Sequence, residues 1–157
     1  MWKTGHSLIK AKMKDEGAAA AGEMSGHMFF ADRYYGYDDA IYAACRLLEI
    51  LSRSCKPLSQ ILADVPRTFT TPEIRVDADE TRKFRIVESA RRYFSNHYKT
   101  ITVDGVRILF EDGAWGLIRA SNTQPVLVLR FEAKTPERLG EVRRLVEGKL
   151  AELAQTA

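Results

Sequence analysis

The sequence predicts a partial α/β domain over residues 1–65, followed by an α+β domain over residues 74–157 with an antiparallel sheet and two helices on one face. Three observations support this fold class. Residues 66–73 contain two prolines and three threonines without periodic apolar residues, which is typical of an extended linker. The part after it alternates short apolar runs with turn signals, whereas the part before it has two helical patterns and scarcely two strands.

In the first part, a short helix is predicted over residues 7–14, with Gly17 as its end. Residues 18–21 are compatible with a helix, because alanine favours it, or with a short buried strand. Asp38 and Asp39 precede a stronger helix. Its helical spacing predicts an inward apolar stripe of Ile41, Ala44, Leu48 and Leu51. About 65 residues with so few strands would form a marginal domain alone, so we expect the end of a larger one.

In the second part, a strand over residues 74–76 precedes a helix capped by Asp79. That helix is expected to bury Phe84, Val87, Ala90 and Phe94. Asp-Gly pairs at 104–105 and 112–113 predict consecutive hairpins from strands near 101–103, 106–110 and 115–119. A last strand over 126–131 precedes a helix that Pro136 begins, with one face formed by Leu139, Val142, Val146, Leu150 and Leu153.

The overall charge does not indicate nucleic-acid binding, but its distribution along the chain favours a small anion as a partner. The 157 residues include 24 basic and 21 acidic side chains, a net charge of +3 that is too mild to indicate nucleic-acid binding. The whole excess lies after residue 65, where a site for a small anion would be expected. No apolar run reaches the length of a membrane span, and the sequence begins without a secretory pattern. With only two cysteines, we expect a cytoplasmic protein.

Residues 22–27, Gly-Glu-Met-Ser-Gly-His, are the first candidate binding segment. In an extended chain, alternate side chains share one side, so Glu23, Ser25 and His27 would point together. A carboxylate, a hydroxyl and an imidazole suit a polyhydroxylated ligand, because the carboxylate can accept hydrogen bonds from neighbouring sugar hydroxyls. The alternative is a polar surface turn beside a hydrophobic strand.

Residues 119–125, Arg-Ala-Ser-Asn-Thr-Gln-Pro, are the second candidate segment. Arginine can bind two phosphate oxygens at once, and short hydroxyl side chains with turn N–H groups can bind the remainder. The alternative is an ordinary loop, because these residue types are common in turns for local reasons.

Two histidines, His6 and His27, could act as acid or base near neutral pH, although a lone histidine is more often structural. Residues 4–7 precede a helix and could cap it or receive an anion. Cys45 and Cys55 match no zinc-binding spacing, and we expect no metal site in this chain.

Read in order, residues 3–7 (Lys-Thr-Gly-His-Ser), 22–27 and 119–123 followed by Pro125 resemble the C-terminal part of the α-D-phosphohexomutases. The resemblance is strongest to the bacterial phosphomannomutase/phosphoglucomutase group and covers nearly the whole chain. It implies that residues 1 to about 65 end the family's third α/β domain and that the rest is its fourth domain.

The resemblance also implies site roles. Glu23 and Ser25 would bind sugar hydroxyls with His27 close by, while His6 would lie near the reacting region with Lys3 close to it. The phosphate that is not reacting would be bound by Arg119, Ser121, Asn122 and Thr123. Gln124 departs from the small hydroxyl residue common in the family, which puts one phosphate contact in doubt.

The family's reaction is an intramolecular phosphoryl transfer, of the isomerase class, between the 6- and 1-positions of a hexose through a bisphosphorylated sugar. The family uses a phosphoserine in a Thr-Ala-Ser-His-Asn-Pro-like motif, Mg²⁺ on an Asp-Gly-Asp-x-Asp loop, and an activating hexose 1,6-bisphosphate. Neither motif occurs in this sequence. The resemblance therefore implies an inactive C-terminal fragment whose partners are a phosphohexose and the N-terminal domains of the same enzyme.

A stand-alone phosphosugar-binding or regulatory module is the alternative. The two hypotheses differ in what they predict for the first part of the chain. A fragment of an enzyme should expose the apolar surface that missing strands would cover, or hide it against another copy, whereas a regulatory module should be closed.

Overall fold

A computed structural model of the chain describes residues 1–156, and these form two compact units, Met1–Pro66 and the residues from Arg67 onward. The first unit combines helices with a small sheet, and the second packs helices on an antiparallel sheet, so the predicted fold class is confirmed. Within the described residues, every helix is too short or too polar to cross a bilayer.

The first unit contains α1 (His6–Glu16), β1 (Ala20–Gly22), β2 (Met28–Phe30), α2 (Ala40–Ser52) and α3 (Leu58–Ile61). β1 and β2 form a two-stranded antiparallel sheet, which resolves the ambiguity of residues 18–21 in favour of a strand. Its small core consists of Ile9, Met13 and Phe29. This core holds α1 against the hairpin from which the first candidate segment projects.

The predicted inward stripe of α2 is wrong. The N-terminus is capped as expected, because the Asp39 side chain accepts a hydrogen bond from the N–H of Tyr42. However, Ile41 is 80% exposed and Leu48 is 63% exposed. The helix turns its other side to β2, where the Arg46 guanidinium lies over the Phe30 ring. Within residues 1–156, the apolar face is left largely uncovered.

The second unit contains β3 (Phe69–Thr70), β4 (Ile74–Asp77), α4 (Lys83–His97), β5 (Lys99–Ile101), β6 (Val106–Leu109), β7 (Trp115–Ala120), β8 (Val126–Ala133) and α5 (Pro136–Thr156). The strands pair antiparallel in the order β5-β6-β7-β8. The other edge of β8 pairs with β4 along its first half and with β3 at its end.

Part of the predicted linker is therefore a strand of the sheet. Phe69 and Thr70 pair with β8, and the Thr71 hydroxyl accepts a hydrogen bond from the N–H of Phe131 at 3.1 Å. The prolines and threonines correctly indicate an extended segment, but residues 69–71 pair their backbone groups with β8.

Both helices of the second unit pack on one face of the sheet, and this layer is its core. α4 contributes Ile86, Val87, Ala90 and Phe94, and α5 contributes Val142, Val146 and Leu150. Phe84, which was expected inside, is 54% exposed, whereas Lys83 is 1% exposed. Because 83, 87, 90 and 94 follow a helical spacing of four, three and four, Lys83 lies on the buried face and Phe84 beside it.

We predict that Gly105→Ala destabilises the second unit by roughly 2 kcal/mol or more. Gly105 has a φ of 76°, and a Cβ there would lie 2.2 Å from the backbone oxygen of Ile118. Urea unfolding of both variants measures the effect, with Gly148→Ala on α5 as the control because a Cβ there meets no atom within 4 Å. Equal midpoints for the two variants would contradict the close approach of this turn to β7.

Candidate functional site

The first candidate segment is a tight hairpin loop, residues 23–27, and not the extended strand from which its side-chain directions were predicted. The N–H of Glu23 donates to the carbonyl of His27 at 2.9 Å, and the N–H of Gly26 donates to the carbonyl of Glu23 at 3.0 Å. Gly26 has a φ of 95°, which glycine adopts without strain. Glu23 and His27 thus face each other at the base of the loop, and the Ser25 hydroxyl donates to Glu23 Oε2 at 3.4 Å.

The start of α1 completes this site. The N–H of Gly5 donates to Glu23 Oε1 at 2.9 Å, and the Glu23 side chain is only 9% exposed. His6 follows at once, with its Nε2 4.0 Å from Glu23 Oε2 and its ring in edge contact with that of His27, 4.7 Å between centroids. Lys3 is exposed and precedes the helix. The structure therefore brings together His6, Glu23, Ser25 and His27.

Asp38 is a site residue that the sequence analysis treated only as a cap. Its Oδ2 lies 2.7 Å from His27 Nδ1 and 3.9 Å from His6 Nε2, and its Oδ1 accepts from the N–H of Met28 at 3.1 Å. The hydrogen bond with His27 lowers the pKa of Asp38, helped by the Met28 N–H. The sequence held one signal for this role: two aspartates precede α2, but only one carboxylate is needed to cap a helix, so the other could serve the site.

This pairing fixes how His27 can act. A neutral imidazole that donates to a carboxylate through Nδ1 keeps its proton there and presents Nε2 as an acceptor. Asp38 also restricts rotation of the ring. His27 can therefore act as a base or ligand through Nε2, and its side chain is 46% exposed.

The second candidate segment is the connection between β7 and β8. Arg119 is half-buried near the end of β7, while Asn122 and Thr123 are exposed. Ser121 is 7% exposed, and its hydroxyl oxygen accepts from the N–H groups of Thr123 at 3.3 Å and Gln124 at 3.2 Å. Its oxygen thus shapes the loop, and its hydroxyl proton remains for another acceptor.

Lys83 is a buried lysine, not singled out from the sequence, that binds the backbone of this loop. Lys83 Nζ donates to the carbonyl oxygens of Ser121 at 2.7 Å and Gln124 at 3.1 Å, and it pairs with Glu80 at 2.6 Å. The two carbonyls belong to the two ends of the turn. One ammonium group therefore fixes the width of the loop, while its charge is balanced by Glu80.

The side chain of Gln124 is used within the second unit. Its Oε1 accepts from Arg75 Nη1 at 3.1 Å. Arg75 on β4 and Arg119 on β7 both lie opposite Val128 of the strand between them. With strands about 4.8 Å apart, the two arginine backbones are roughly 10 Å apart on either side of β8. The loop is therefore flanked by two arginines.

Among residues 1–156, one group of three side chains is arranged as metal ligands could be: His6, Glu23 and His27, whose ligand atoms lie within 4.8 Å of one another. Mg²⁺ takes oxygen ligands in near-octahedral geometry, whereas two of these three ligands are imidazoles. The group does not fit Mg²⁺, and no step of the chemistry is assigned to Mg²⁺ on this chain.

Comparison with known protein families identifies both units. Residues 1–69 match the family description "Phosphoglucomutase/phosphomannomutase, alpha/beta/alpha domain III", and residues 73–149 match "Phosphoglucomutase/phosphomannomutase, C-terminal domain". The chain belongs to the phosphoglucomutase/phosphomannomutase family. The resemblance drawn from the three polar segments is thereby confirmed.

Individual members of the family agree. The chain is 50% identical over 151 residues to a phosphomannomutase/phosphoglucomutase of Pseudomonas aeruginosa, and this match covers 96% of the present chain and 32% of the Pseudomonas protein. It is 51% identical over 138 residues to a phosphoglucomutase of Neisseria gonorrhoeae, and this match covers 86% of the present chain and 30% of the Neisseria protein. A solved phosphoglucomutase/phosphomannomutase family protein from Burkholderia thailandensis superposes with a TM-score of 0.83 at 41% identity, over 99% of this chain and 32% of the other. The chain thus spans about a third of the length of these relatives.

We predict that the carboxyl group of Asp38 titrates below the usual aspartate value and that His27→Ala raises its midpoint. The reason is that the imidazole hydrogen bond favours the charged carboxylate. Because the folded-state pKa is lowered, Asp38 stabilises the fold above about pH 4, and this contribution is lost as the pH falls through the lowered value. Carbon-detected NMR titration measures the midpoint, with His97→Ala as the control. Equal midpoints in wild type and His27→Ala would contradict the pairing.

We predict that Lys83→Met loosens the loop between β7 and β8. Two carbonyl oxygens lose their donor, which costs roughly 1–3 kcal/mol for each buried group left unsatisfied. Amide hydrogen exchange of Thr123 and Gln124 should accelerate, and the urea midpoint should fall. Lys134→Met, at an exposed position, is the matched control. Unchanged exchange in Lys83→Met would mean that the loop keeps its width without the ammonium group.

Proposed function

We propose that this chain supplies the sugar- and phosphate-recognition part of a phosphohexomutase that interconverts hexose 1- and 6-phosphates through a bisphosphorylated sugar. One observation carries the proposal: Glu23 is held through Oε1 by the Gly5 N–H, its Oε2 lies 4.0 Å from His6 Nε2, and ligand atoms of His6, Glu23 and His27 lie within 4.8 Å of one another. Membership of the phosphoglucomutase/phosphomannomutase family supports the reaction type.

The 23–27 loop would bind the sugar ring. Glu23 Oε1 is used by the protein, so Oε2 is the oxygen that can accept from sugar hydroxyls. Ser25 can donate or accept, and His27 Nε2 can accept while Asp38 holds the ring. Hydroxyls in similar positions satisfy the same acceptors when the sugar is turned around, which the two half-reactions require.

The loop between β7 and β8 would bind the phosphate that is not reacting. The Arg119 guanidinium can donate to two phosphate oxygens. Ser121 can donate its hydroxyl proton, and the exposed side chains of Asn122 and Thr123 can donate as well. Lys83 and Arg75 shape the same loop through hydrogen bonds, but each is paired with a carboxylate, Glu80 and Glu73, so Arg119 would supply the charge for the anion.

His6 and His27 are the candidate acid and base groups. When a phosphoryl group moves to a sugar hydroxyl, the hydroxyl proton must be accepted, and a neutral imidazole at hydrogen-bond distance can accept it. Asp38 would stabilise the resulting charge on His27. His6 lies against His27 and could take the same role for the other orientation of the sugar.

The nucleophile and the Mg²⁺ ligands would come from N-terminal domains of the same polypeptide. The relatives are about three times as long as this chain, and the sequence contains neither the phosphoserine motif nor the acidic metal loop. The exposed apolar face of α2 supports this reading over a closed regulatory module, because Ile41 and Leu48 lie in solvent. Mg²⁺, when bound by those domains, would neutralise charge on the transferring phosphoryl group.

We predict that Arg119→Ala and Glu23→Ala weaken ligand binding in different ways. Arg119→Ala should weaken both glucose 1-phosphate and inorganic phosphate by roughly 30-fold, about 2 kcal/mol, because a charge-assisted bond is lost. Glu23→Ala should weaken the sugar phosphate and leave inorganic phosphate unchanged. Calorimetric titration measures both affinities.

The controls for this experiment are exposed residues of the same charge. Arg143→Ala on α5 and Glu16→Ala on α1 should leave both affinities unchanged. The reverse pattern, with Glu23→Ala weakening phosphate and Arg119→Ala sparing it, would exchange the roles of the two loops. Turnover of mannose 1-phosphate to the 6-phosphate by the purified chain alone would contradict the assignment of the nucleophile to other domains.

A further inference from the structure

His6, Glu23 and His27 form a cluster whose chemistry differs from that of an ordinary sugar site. Their potential ligand atoms lie within 4.8 Å of one another. Glu23 follows the end of β1, His27 precedes the start of β2 and His6 begins α1, so three backbone segments converge at the loop end of the sheet. Two imidazoles and one carboxylate, with Asp38 behind them, bring neutral nitrogen ligands and negative charge to one point.

The geometry is close to what a four-coordinate cation needs. Zinc–nitrogen and zinc–oxygen bonds of about 2.0–2.2 Å place tetrahedral ligand atoms about 3.3 Å apart. His6 Nε2 and Glu23 Oε2 are 4.0 Å apart. Both imidazoles are about half exposed, at 52% for His6 and 46% for His27, so small rotations can close the remaining distance. Glu23 is held in place by Gly5.

The surrounding contacts match the environment of a metal-ligating histidine. In such sites the ring nitrogen that does not bind the metal usually donates to a carboxylate, which fixes the tautomer. His27 Nδ1 lies 2.7 Å from Asp38 Oδ2, so Nε2 is the nitrogen left for a ligand. Asp38 is in turn fixed by the N–H of Met28 at 3.1 Å.

We propose that His6, Glu23 and His27 form a binding site for a divalent cation of the zinc class, with Asp38 as a positioning residue and water as the fourth ligand. Imidazole and carboxylate together suit Zn²⁺ and Co²⁺ rather than Mg²⁺. This inference rests on the proposed function in one respect only: Glu23 and His27 are the groups assigned to the sugar, so cation and sugar would exclude each other.

Calorimetric titration of the chain with Zn²⁺ at neutral pH tests the site. One cation should bind per chain, and His6→Ala and His27→Ala should each lower the affinity at least 100-fold. Asp38→Asn should lower it roughly 10-fold, the effect expected for a carboxylate that orients a ligating histidine. Mg²⁺ should not displace the bound Zn²⁺. Titration with Co²⁺ gives a second readout, because a four-coordinate Co²⁺ absorbs strongly in the visible range and the variants should lose that absorption.

The controls are the other side chains that could bind Zn²⁺. His97→Ala on α4 and the exposed thiols, changed as Cys45→Ser and Cys55→Ser, should leave the affinity unchanged. Wild-type affinity in both His6→Ala and His27→Ala, or loss of binding in the cysteine variants, would overturn the site. Circular dichroism of each variant verifies folding, and the graded effect of Asp38→Asn separates loss of a ligand from loss of structure.

A competition experiment separates this inference from the proposed function. Glucose 1-phosphate should raise the apparent Kd of Zn²⁺, whereas glycerol 3-phosphate, which has the phosphate without the ring, should raise it less. If Zn²⁺ binds as described and neither compound competes, the cation site stands and the sugar role of the 23–27 loop is contradicted. If Zn²⁺ does not bind, the cation site is refuted and the sugar role is untouched.

Discussion

β8 pairs with three other strands, and the second unit is built around this pairing. β7 occupies one edge of it, and β4 and β3 share the other edge. Its residues alternate between the helix-covered core, where Leu127, Leu129 and Phe131 lie, and the opposite face. Because β7 and β8 must pair in one register to bury these side chains, the connection between them is fixed in length and position. The candidate phosphate loop is that connection.

Both candidate loops depend on partners that are distant in sequence. Lys83 reaches across 38 residues to the carbonyl of Ser121, and the Gly5 N–H reaches across 18 residues to Glu23. His27 meets Asp38 across 11 residues. Short polar loops rarely hold several side chains in one arrangement by local turns alone, since each side chain loses rotamer freedom when it is fixed. Packing of α1 and α4 brings the fixing groups into place, because α4 carries Lys83 and α1 follows Gly5 directly. α1 also begins with His6, which is itself a candidate site residue.

Sequence periodicity predicted the elements well where both faces of an element have a defined environment. The strands predicted over 106–110 and 126–131 are found at 106–109 and 126–133, and the buried positions of α5 were also predicted, because burial repeats at the strand or helix period. The stripe of α2 failed, because periodicity indicates an apolar face but not whether anything covers it. Lys83 has the same helical spacing as Val87 and Phe94, so the sequence pattern places it on the buried face. Its burial was still not predicted, because a lysine is rarely buried without hydrogen-bond acceptors, and the sequence does not show that the carbonyls of Ser121 and Gln124 supply them.

The candidate site could be predicted only in part, for a related reason. Residue types located Glu23, His27 and Arg119, since their chemistry can be recognised without coordinates. The closed loop at 23–27 and the role of Asp38 depend on backbone hydrogen bonds that no spacing rule predicts.

The two units carry opposite local charge around their candidate loops. Around residues 23–27, two carboxylates accompany two imidazoles, so the site favours ligands that donate hydrogen bonds or carry positive charge. Around residues 121–124, Lys83 is paired with Glu80 and Arg75 with Glu73. Arg119 is therefore the group whose positive charge favours an anion there. Under the proposed function, the donor-rich ring of a phosphohexose would suit the first loop and its anionic end would suit the second. The same carboxylates that make the first site acceptor-rich would also attract a cation, so under the two proposals sugar and divalent metal would compete for Glu23 and His27.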